Sequence, residues 1–261
     1  MSRSFQGAVR RMLVCAMALP AAAVFAQTMP ATPDSPPVAA AASPAAPPAA
    51  ASSPVLPIGA KVEGLGYPEL TAKWWQWAQS AVIEPYLDPD GRLCDMGQDG
   101  PVWFLAGTDG SFVAQRECVV PEGKHLLLPI INMIIHTPYR VRPGVEVATC
   151  DELKADIAVN NDHLVSAVVM IDGVLVDDPR RYRVRSNGCF PLHAQPIDEE
   201  GVVMPSAASD GYWLLVAPLP RGRHTISVGA NYGAKSGGYH RMTQNFEYVL
   251  YIGDRTNFAV R

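Results

Sequence analysis

The chain has no excess of positive charge, and this absence excludes one broad class of function. Its 261 residues contain 21 lysines and arginines against 25 aspartates and glutamates, so the formal net charge at pH 7 is -4. Nucleic-acid binding depends on basic side chains that neutralise phosphates and release counterions. We therefore expect no nucleic-acid partner.

The short motifs that mark common hydrolytic sites are also missing. The sequence contains neither an H-E-x-x-H motif nor a G-x-S-x-G elbow, and its six histidines are scattered. Lys235-Ser236-Gly237 resembles one box of the penicillin-binding proteins, but the S-x-x-K motif that such a site also needs is absent. The segment 88–91 is predicted to be a plain turn, because Arg92 breaks the EF-hand calcium pattern. We expect no catalytic residue, no cofactor and no metal site.

Long apolar runs are absent except at the N-terminus. Residues 1–26 combine early arginines, an apolar stretch over 12–25 and small residues before Ala26, which is typical of a secretory signal peptide. The stretch is interrupted by Pro20 and is too short to cross about 30 Å of hydrocarbon. We predict cleavage after Ala26, a periplasmic or secreted protein, and no transmembrane segment after cleavage. A retained or lipidated form, attached through Cys15, is the alternative.

Residues 27–57 are predicted to be a disordered linker rich in proline and alanine. Asp34 is the only charged residue of the segment 30–57, which has few large apolar side chains. Such a segment buries too little apolar surface to offset its ordering entropy. It is expected either to hold the domain away from a membrane or wall, or to be a tolerated tail. Residues 58–261 are then a single β-rich domain cross-linked by disulfides.

Four cysteines remain after the predicted signal peptide, and an even number in an exported chain favours disulfides. Four cysteines allow three pairings. Cys94 and Cys118 flank two strand-like runs, so a local bridge is favoured, and Cys150 would then pair with Cys189 by elimination. A zinc site is the rival interpretation, but it normally needs pairs of closely spaced cysteines, and the four cysteines are far apart.

The periodicity of the chain predicts a mainly β protein, an antiparallel β-sandwich with an N-terminal Trp-rich helix and one inserted helix. Apolar residues at helical spacing predict the first helix over 68–82. Thr149 and Glu152 form a capping box that predicts the second over 150–160. The Asp172-Gly173 pair predicts a hairpin, and 218–222 is expected to be a corner between sheets that leads into a strand next to an edge. Further strand-like runs alternate with Gly, Pro and Asp turns.

The segment Trp74-Trp75-Gln76-Trp77 is the most unusual local feature. Trp74 and Trp77 lie on the apolar stripe of the predicted helix, so we expect them in the core. Trp75 lies off that stripe. It is expected either to pack in the core through a second contact or to form an aromatic platform for a ligand such as a sugar ring.

A second candidate site lies in the apolar run 126–136. Asn132 interrupts this run, and His136 follows four residues later, on the same face of a strand. A buried amide needs a hydrogen-bond partner. Asn132 either bonds to neighbouring backbone or lines a pocket together with His136, Gln98 and Arg116, although Arg116 could instead brace the loop at Cys118.

These elements together resemble a group of uncharacterised exported bacterial proteins. The resemblance rests on the tryptophan segment, on the Cys94 to Lys124 region and on C-terminal motifs. Its residues are Trp74-Trp75-Gln76-Trp77, Cys94, Gln98, Gly100-Pro101-Val102-Trp103-Phe104-Leu105-Ala106-Gly107, Arg116, Cys118, Val120-Pro121, Gly123-Lys124, Pro129-Ile130-Ile131-Asn132, Asp210-Gly211-Tyr212-Trp213, Pro218-Leu219-Pro220, Gly222 and His224-Thr225-Ile226. The resemblance implies a secreted, mostly β domain and carries over no catalytic residue.

We therefore expect a non-catalytic secreted or periplasmic module that binds an unidentified ligand or protein at the cell envelope. One alternative is an envelope hydrolase that acts on a glycan, peptide or ester near Asn132 and His136. The other is a purely structural domain of an envelope assembly. An exposed Trp75 would favour binding, a pocket of converging polar side chains would favour hydrolysis, and an exposed apolar patch would favour a structural role.

Overall fold

The computed structural model describes residues 53–139, 144–192, 205–233 and 242–254. All of them belong to one compact unit, Ala50–Arg261. The predicted signal peptide, 1–26, lies outside the described residues, as do 27–52 of the predicted linker and the segment 235–237. Within the described ranges, no helix is both long and apolar enough to cross a membrane.

The protein is mainly β, and its described residues contain two α-helices, as the sequence predicts. The helices are α1 (Tyr67–Ser80) and α2 (Cys150–Asn161), and short 3-10 helices lie at Pro85–Leu87 and Pro179–Tyr182. The strands are β1 (Lys61–Val62), β2 (Leu65–Gly66), β3 (Val102–Phe104), β4 (Ala114–Val120), β5 (His125–His136), β6 (Leu164–Ile171), β7 (Val174–Leu175), β8 (Arg183–Arg185), β9 (Phe190–Pro191), β10 (Ser206–Val216), β11 (Gly222–Tyr232) and β12 (Thr243–Ile252).

Most of these strands form two five-stranded sheets. The first has the order β3-β5-β10-β8, with β9 also paired to β10, and the second has the order β4-β12-β11-β6-β7. Both sheets are mixed, because β3 runs parallel to β5 and β4 runs parallel to β12. The sheets are therefore antiparallel except at these two pairs, which the expectation of an antiparallel arrangement does not include. Parallel neighbours need a long crossover connection, and β3 reaches β5 by way of β4 in the other sheet.

The core is shared by both sheets and α1. Strand β5 is buried almost continuously over 126–131, as its unbroken apolar run predicts, whereas β12 alternates buried and exposed residues. Full burial of each large aliphatic side chain contributes about 1.5–3 kcal/mol. The contrast between the two strands shows that β5 is covered on both faces and β12 on one.

Helix α1 places the tryptophans. Its first turn contains Pro68, and the Glu69 carboxylate accepts the backbone N–H of Gly66 at 3.0 Å, which satisfies one donor at the helix start. The helix ends at Ser80 because Ala81 is extended, so it begins one residue and ends two residues earlier than predicted. Helix α2 has the predicted capping box at Thr149.

The predicted turns are also present. Asp172 and Gly173 both have positive φ, 51° and 76°, and join β6 to β7 as the Asp-Gly pair predicts. The segment 218–222 connects β10 of the first sheet to β11 of the second, so the predicted corner is confirmed. The expected position of the following strand is wrong, since β11 is the middle strand of its sheet.

Residues 53–57, which the sequence assigns to the linker, already pair with the first sheet. Val55 forms a bridge with Val216, and the Leu56 N–H donates to the Leu215 carbonyl at 2.8 Å. The Ala217 N–H in turn donates to the Pro54 carbonyl at 2.8 Å.

Two disulfides cross-link the unit with the pairing that the sequence favoured. Cys94 pairs with Cys118 and Cys150 pairs with Cys189, and their Cα atoms lie 5.8 and 5.7 Å apart. Closing loops of these lengths stabilises a folded chain by about 3–4 kcal/mol each on the chain-entropy account. The first bridge ties the loop before β3 to β4, and the second anchors the start of α2.

Candidate functional site

A cavity of about 390 Å³ opens beside the tryptophan helix. Its walls come from α1, from the loop after β3, from the middle of β5 and from the residue before β12. The lining residues are Trp75, Asp109, Gly110, Asn132, Met133, Ile134 and Met242. Two of the five residues that the sequence singles out, Trp75 and Asn132, therefore meet in one cavity.

Trp75 and Asn132 each carry a buried N–H group with no hydrogen-bond partner. The indole Nε1 of Trp75 and the amide Nδ2 of Asn132 are two of eight such buried side-chain atoms among the described residues. The two side chains are only 7% and 8% exposed. A buried donor left unsatisfied costs about 1–3 kcal/mol. These two unpaired donors therefore lower the stability of the free protein. The side chains that carry them line the open cavity.

Rings on either side hold Trp75 in place. Its ring makes an edge-on contact with Trp74, with centroids 4.9 Å apart, and a second with Tyr86 at 6.4 Å. Trp74 is fixed in turn by a 2.7 Å hydrogen bond from its indole N–H to the Leu105 carbonyl. The expected second contact of Trp75 is therefore present. The interpretation of Trp75 as an exposed platform is wrong, since the aromatic contacts bury it.

Asn132 is placed by a close approach of β5 and β10. It pairs with Gly211, and a Cβ on that glycine would lie 2.4 Å from the Asn132 Cβ and 2.5 Å from its Cα. Any other residue at 211 would push the two strands apart. The glycine therefore lets the asparagine sit within an otherwise apolar strand.

The loop that carries Asp109 and Gly110 is held by a side-chain amide. Gln244, 2% exposed, accepts the Thr108 backbone N–H at 2.7 Å and donates to the Thr108 carbonyl at 2.6 Å. This pair of bonds imitates the ladder between two strands. The Asp109 carboxylate, through Oδ1, accepts the N–H and hydroxyl of Ser111 at 2.9 and 2.6 Å. The loop is thus fixed from both sides.

The remaining wall is apolar and contains two thioethers. It consists of Met133, Ile134 and Met242. The sulfur of Met133 accepts a hydrogen bond from the Asn160 amide of α2 at 2.7 Å. Methionine is flexible and polarisable, so it adapts to ligands of different shape. Asp109 is the only ionisable side chain among the described lining residues.

Gln98, which the sequence places in the same pocket, lies elsewhere. Its amide nitrogen donates to the carbonyls of Cys94 and Phe104 at 2.9 and 2.8 Å, and its oxygen accepts the Phe104 N–H at 2.9 Å. Its bonds are made within the protein. Gln98 therefore joins the disulfide-linked loop to β3 and does not line the cavity.

Arg116 also serves the fold. It is 2% exposed and donates to the carbonyls of Asp88 and Ala106 at 2.7 and 2.6 Å and to the Tyr248 hydroxyl at 3.1 Å. Its guanidinium also lies over the Tyr248 ring, 5.4 Å from the centroid. The predicted role of bracing the loop fits these contacts. We call Asp88, Cys94, Gln98, Arg116 and Cys118 the disulfide cluster.

Asp88 stabilises the turn in this cluster. Its carboxylate accepts the backbone N–H groups of Asp90, Gly91 and Leu93 at 3.1, 3.0 and 2.7 Å. Burial alone raises the pKa of Asp88, but these three bonds and the nearby Arg116 charge outweigh it and leave the pKa lowered. The plain-turn interpretation of 88–91 is consistent with this arrangement.

His136 lies at the end of β5, beyond the cavity wall. Its Nδ1 is 2.7 Å from the Thr137 carbonyl, and its ring contacts Tyr139 with centroids 5.2 Å apart. The set predicted from the sequence is thus divided. Trp75 and Asn132 line the cavity, Gln98 and Arg116 belong to the disulfide cluster, and His136 stands apart from both.

A second cavity, of about 480 Å³, lies near the start of the described chain. It is lined by Val55, Pro57, Ile58, Arg181 and Tyr182. None of the eight unpartnered buried atoms belongs to these residues. The cavity at Trp75 and Asn132 is therefore the stronger candidate.

The described residues that line the first cavity are mostly apolar or amide side chains. Its described lining residues include no cysteine, serine, histidine or lysine. In the described part of the chain, no group of three or more His, Cys, Asp or Glu side chains is placed to hold a metal ion. Comparisons of the chain with protein families, curated proteins and solved structures find no match. The geometry of the cavity is therefore the basis for assigning a function.

Proposed function

We propose that this protein is a non-catalytic module of the cell envelope that binds a small molecule in the cavity between Trp75 and Asn132. The observation that carries the proposal is a pair of buried N–H donors without partners on the walls of an open cavity. A ligand that offers a hydrogen-bond acceptor would satisfy a donor whose side chain turns toward it. Binding would then recover the free energy that the free protein loses by leaving them unpaired.

The size and lining of the cavity support this proposal. Small-molecule sites commonly have volumes of about 300–1,000 Å³, apolar walls and a few well-placed polar groups. The observed cavity, at about 390 Å³, lies within this range. Trp75 and Asp109 are held by neighbouring contacts, so little of their side-chain entropy would be lost on binding.

The location at the envelope is supported by two features. The N-terminal segment has the pattern of a signal peptide, and disulfides persist mainly in oxidising compartments outside the cytosol. The two disulfides fit an exported protein. The scaffold we propose is a β-sandwich, since both five-stranded sheets contribute to one core.

The hydrolase alternative loses its main support. That alternative expected His, Arg and Gln side chains to converge in one concave site. Instead His136, Gln98 and Arg116 lie in two places outside the cavity, and the bonds of Gln98 and Arg116 support the fold.

A structural role remains the second candidate, because an exposed apolar patch lies on β6 and β7. Val168 and Met170 are 50% and 36% exposed and lie two residues apart on β6, so they share a face. Leu175, which pairs with Met170, is 65% exposed. Association that depends on protein concentration in sedimentation experiments, and that is lost in Met170→Lys, would support this candidate.

The test of the proposed function is a thermal-melt screen of the oxidised mature protein, residues 27–261, against sugars, peptidoglycan fragments, peptides, lipids and metals. A ligand at about 100 times its Kd raises the free energy of unfolding by about 2.7 kcal/mol. We expect one chemical class to raise Tm in the wild type and not in Asn132→Leu. The matched control is Asn245→Leu, at an exposed position of β12 that should leave the shift unchanged. A panel without any shift that depends on Asn132 would refute the proposal.

A further inference from the structure

The cavity borders one edge of β5. Asn132, Met133 and Ile134 all line it, although consecutive residues of a strand point to opposite faces. A cavity that reaches three residues in a row therefore lies beside the backbone. Asp109 and Gly110 of the loop after β3 line it too, whereas no residue of β10 does, although that strand is described in full. The cavity is thus on the side of β5 that faces β3.

Strand β3 covers only the beginning of this edge. It pairs with residues 125–127 of β5, and the Leu105 N–H then donates to the Leu127 carbonyl at 3.0 Å. The chain continues toward the second sheet, where Gln244 holds Thr108. Among the described strands, none pairs with β5 on this side beyond Leu127. The edge therefore has no partner strand where the cavity lies.

The pairing with β10 shows which backbone groups of β5 point to this edge. The Thr137 N–H donates to the Ser206 carbonyl at 2.9 Å, so Thr137 and every second residue before it bond to β10. The close approach of Asn132 to Gly211 fits this alternation, because opposed residues that exchange no backbone bonds lie closest together. The backbone N–H and C=O groups of Asn132 and Ile134 consequently point away from β10, toward the cavity.

These backbone groups match those of a peptide. They repeat every second residue, about 7 Å apart, and an extended peptide repeats its own N–H and C=O groups at the same spacing. A residue within packed sheets occupies roughly 160 Å³, given the rise of a strand and the spacings of strands and sheets. A cavity of about 390 Å³ therefore accommodates about two to three residues of such a peptide.

We infer that the cavity binds a short extended peptide, which pairs with residues 132–134 of β5 as an added strand. This inference rests on the proposed binding function and names its ligand class. In this mode of recognition, main-chain hydrogen bonds supply the affinity and side-chain contacts supply the selectivity. The wall formed by Met133, Ile134 and Met242 favours small apolar side chains. A free peptide and an extended segment of a larger protein share this chemistry.

The experiment is an N-methyl scan observed by methyl-labelled methionine NMR of the oxidised mature protein. The probe is tetra-alanine with an acetylated N-terminus and an amidated C-terminus, together with four derivatives that each carry one N-methyl group on a different alanine. Met133 and Met242 report on the cavity, while Met96 and Met170, which are 42% and 36% exposed and do not line it, serve as internal controls. Tetra-alanine with free termini is compared with the blocked form, and the tighter binder shows whether the site takes a free peptide or a segment of a protein.

We expect the effect of methylation to alternate along the peptide. N-methylation of every second alanine should weaken binding at least about tenfold, because it removes one backbone hydrogen bond and places a methyl group against β5. N-methylation of the other two alanines, whose N–H groups point away from β5, should change the affinity less than about twofold.

The possible results separate the inference from the proposed function. If the four derivatives do not differ from one another, addition as a strand is overturned and the binding function stands. The same holds if no peptide shifts Met133 or Met242 while another class from the thermal-melt screen does. If no compound of any class shifts these two residues, both are overturned. Shifts confined to Met96 or Met170 would overturn the inference, because the peptide would then bind elsewhere.

Two proline variants test the edge in the protein itself. Ile134→Pro removes an N–H that β10 does not use, so the strand should keep that pairing while peptide affinity falls at least about tenfold. Leu175→Pro is the matched control on the outer edge of β7, since the neighbouring Val176 N–H is the one that donates to Val169 of β6. Unchanged affinity in a folded Ile134→Pro variant would overturn the inference. If its spectrum without peptide shows that it does not fold, the N-methyl scan of the wild type decides.

Discussion

The cavity and the disulfide cluster both contain buried polar side chains, but the two regions differ in how many hydrogen bonds these side chains make. In the cluster, Gln98 makes three hydrogen bonds and Arg116 makes three, all within the protein, and of the Arg116 guanidinium nitrogens only Nη2 is left without a partner. In the cavity, the N–H donors of Trp75 and Asn132 make none. The comparison shows that residue type alone does not distinguish a side chain that supports the fold from one that lines the cavity. A polar group that is paired internally stabilises the fold, whereas one that is buried and left unpaired lowers its stability.

The largest effect that would test this comparison is expected from Arg116→Ala. The substitution leaves the carbonyls of Asp88 and Ala106 without a charged donor and opens a void, so we expect a loss of about 3–4 kcal/mol in the free energy of unfolding. Urea denaturation of the oxidised protein measures the loss. Arg221→Ala is the control, since that arginine is 45% exposed and should matter by less than about 0.5 kcal/mol. Equal losses in both variants would contradict the structural role of Arg116.

Gln98→Leu should lower stability by about 2 kcal/mol. It removes the amide that links Cys94 to Phe104 and leaves backbone groups unpaired, while keeping a similar volume. Leucine at the exposed position of Gln115 is the matched control. If Gln98→Leu keeps the thermal shift given by a ligand from the screen, Gln98 lies outside the binding site. A lost shift without a loss of stability would instead assign Gln98 to the site.

Asn132→Leu should change stability in the opposite direction from Gln98→Leu. Leucine has a similar volume and removes a donor that the free protein leaves unsatisfied, so we expect the free energy of unfolding to rise by about 1 kcal/mol. Ligand binding in the cavity should weaken in the same variant. Thermal melts with and without a ligand found in the screen measure both effects. A destabilised variant would mean that the amide of Asn132 supports the fold, as Gln98 does.

The smallest change in stability is expected from the pH dependence that Asp88 gives the disulfide cluster. The pKa of Asp88 is lower in the folded protein than its ordinary value, so the folded state favours the ionised carboxylate. This contribution to stability is complete above the ordinary aspartate range and is lost as the pH falls through the lowered pKa. Asp88→Asn should therefore be less stable than wild type at neutral pH and show a weaker acid dependence. Parallel curves of Tm against pH for the two proteins would contradict this assignment.

Much of the fold could be predicted because its signals are local. The spacing of apolar residues predicts α1, the capping box at Thr149 predicts the start of α2, and Asp172-Gly173 predicts the β6–β7 turn. The disulfide pairing follows from cysteine count and chain proximity. The parallel pairs could not be predicted, because β4 meets β12 only after more than a hundred intervening residues have folded, and no local pattern records that partner.

The candidate site was only partly predictable, for a related reason. Trp75 and Asn132 are conspicuous because each departs from the apolar pattern around it. Gln98 and Arg116 are conspicuous in the same way, but their partners are backbone groups that the sequence does not identify. Asp109 and Met242 belong to segments that carry no signal of their own. Gln244 brings the Asp109 loop to the cavity, and that contact exists only in the folded protein.

The parallel pairing of β4 with β12 has a consequence for how the chain is made. Strand β12 lies between β4 and β11, with Phe246 beside Ala114, so the second sheet has a gap until β12 has been synthesised. Pairings between distant segments form slowly and late. The growing chain therefore cannot complete the second sheet until residues 243–252 have been made. If the chain is exported as we propose, the second sheet would be completed only after the chain has crossed the membrane, in the compartment where the disulfides can form.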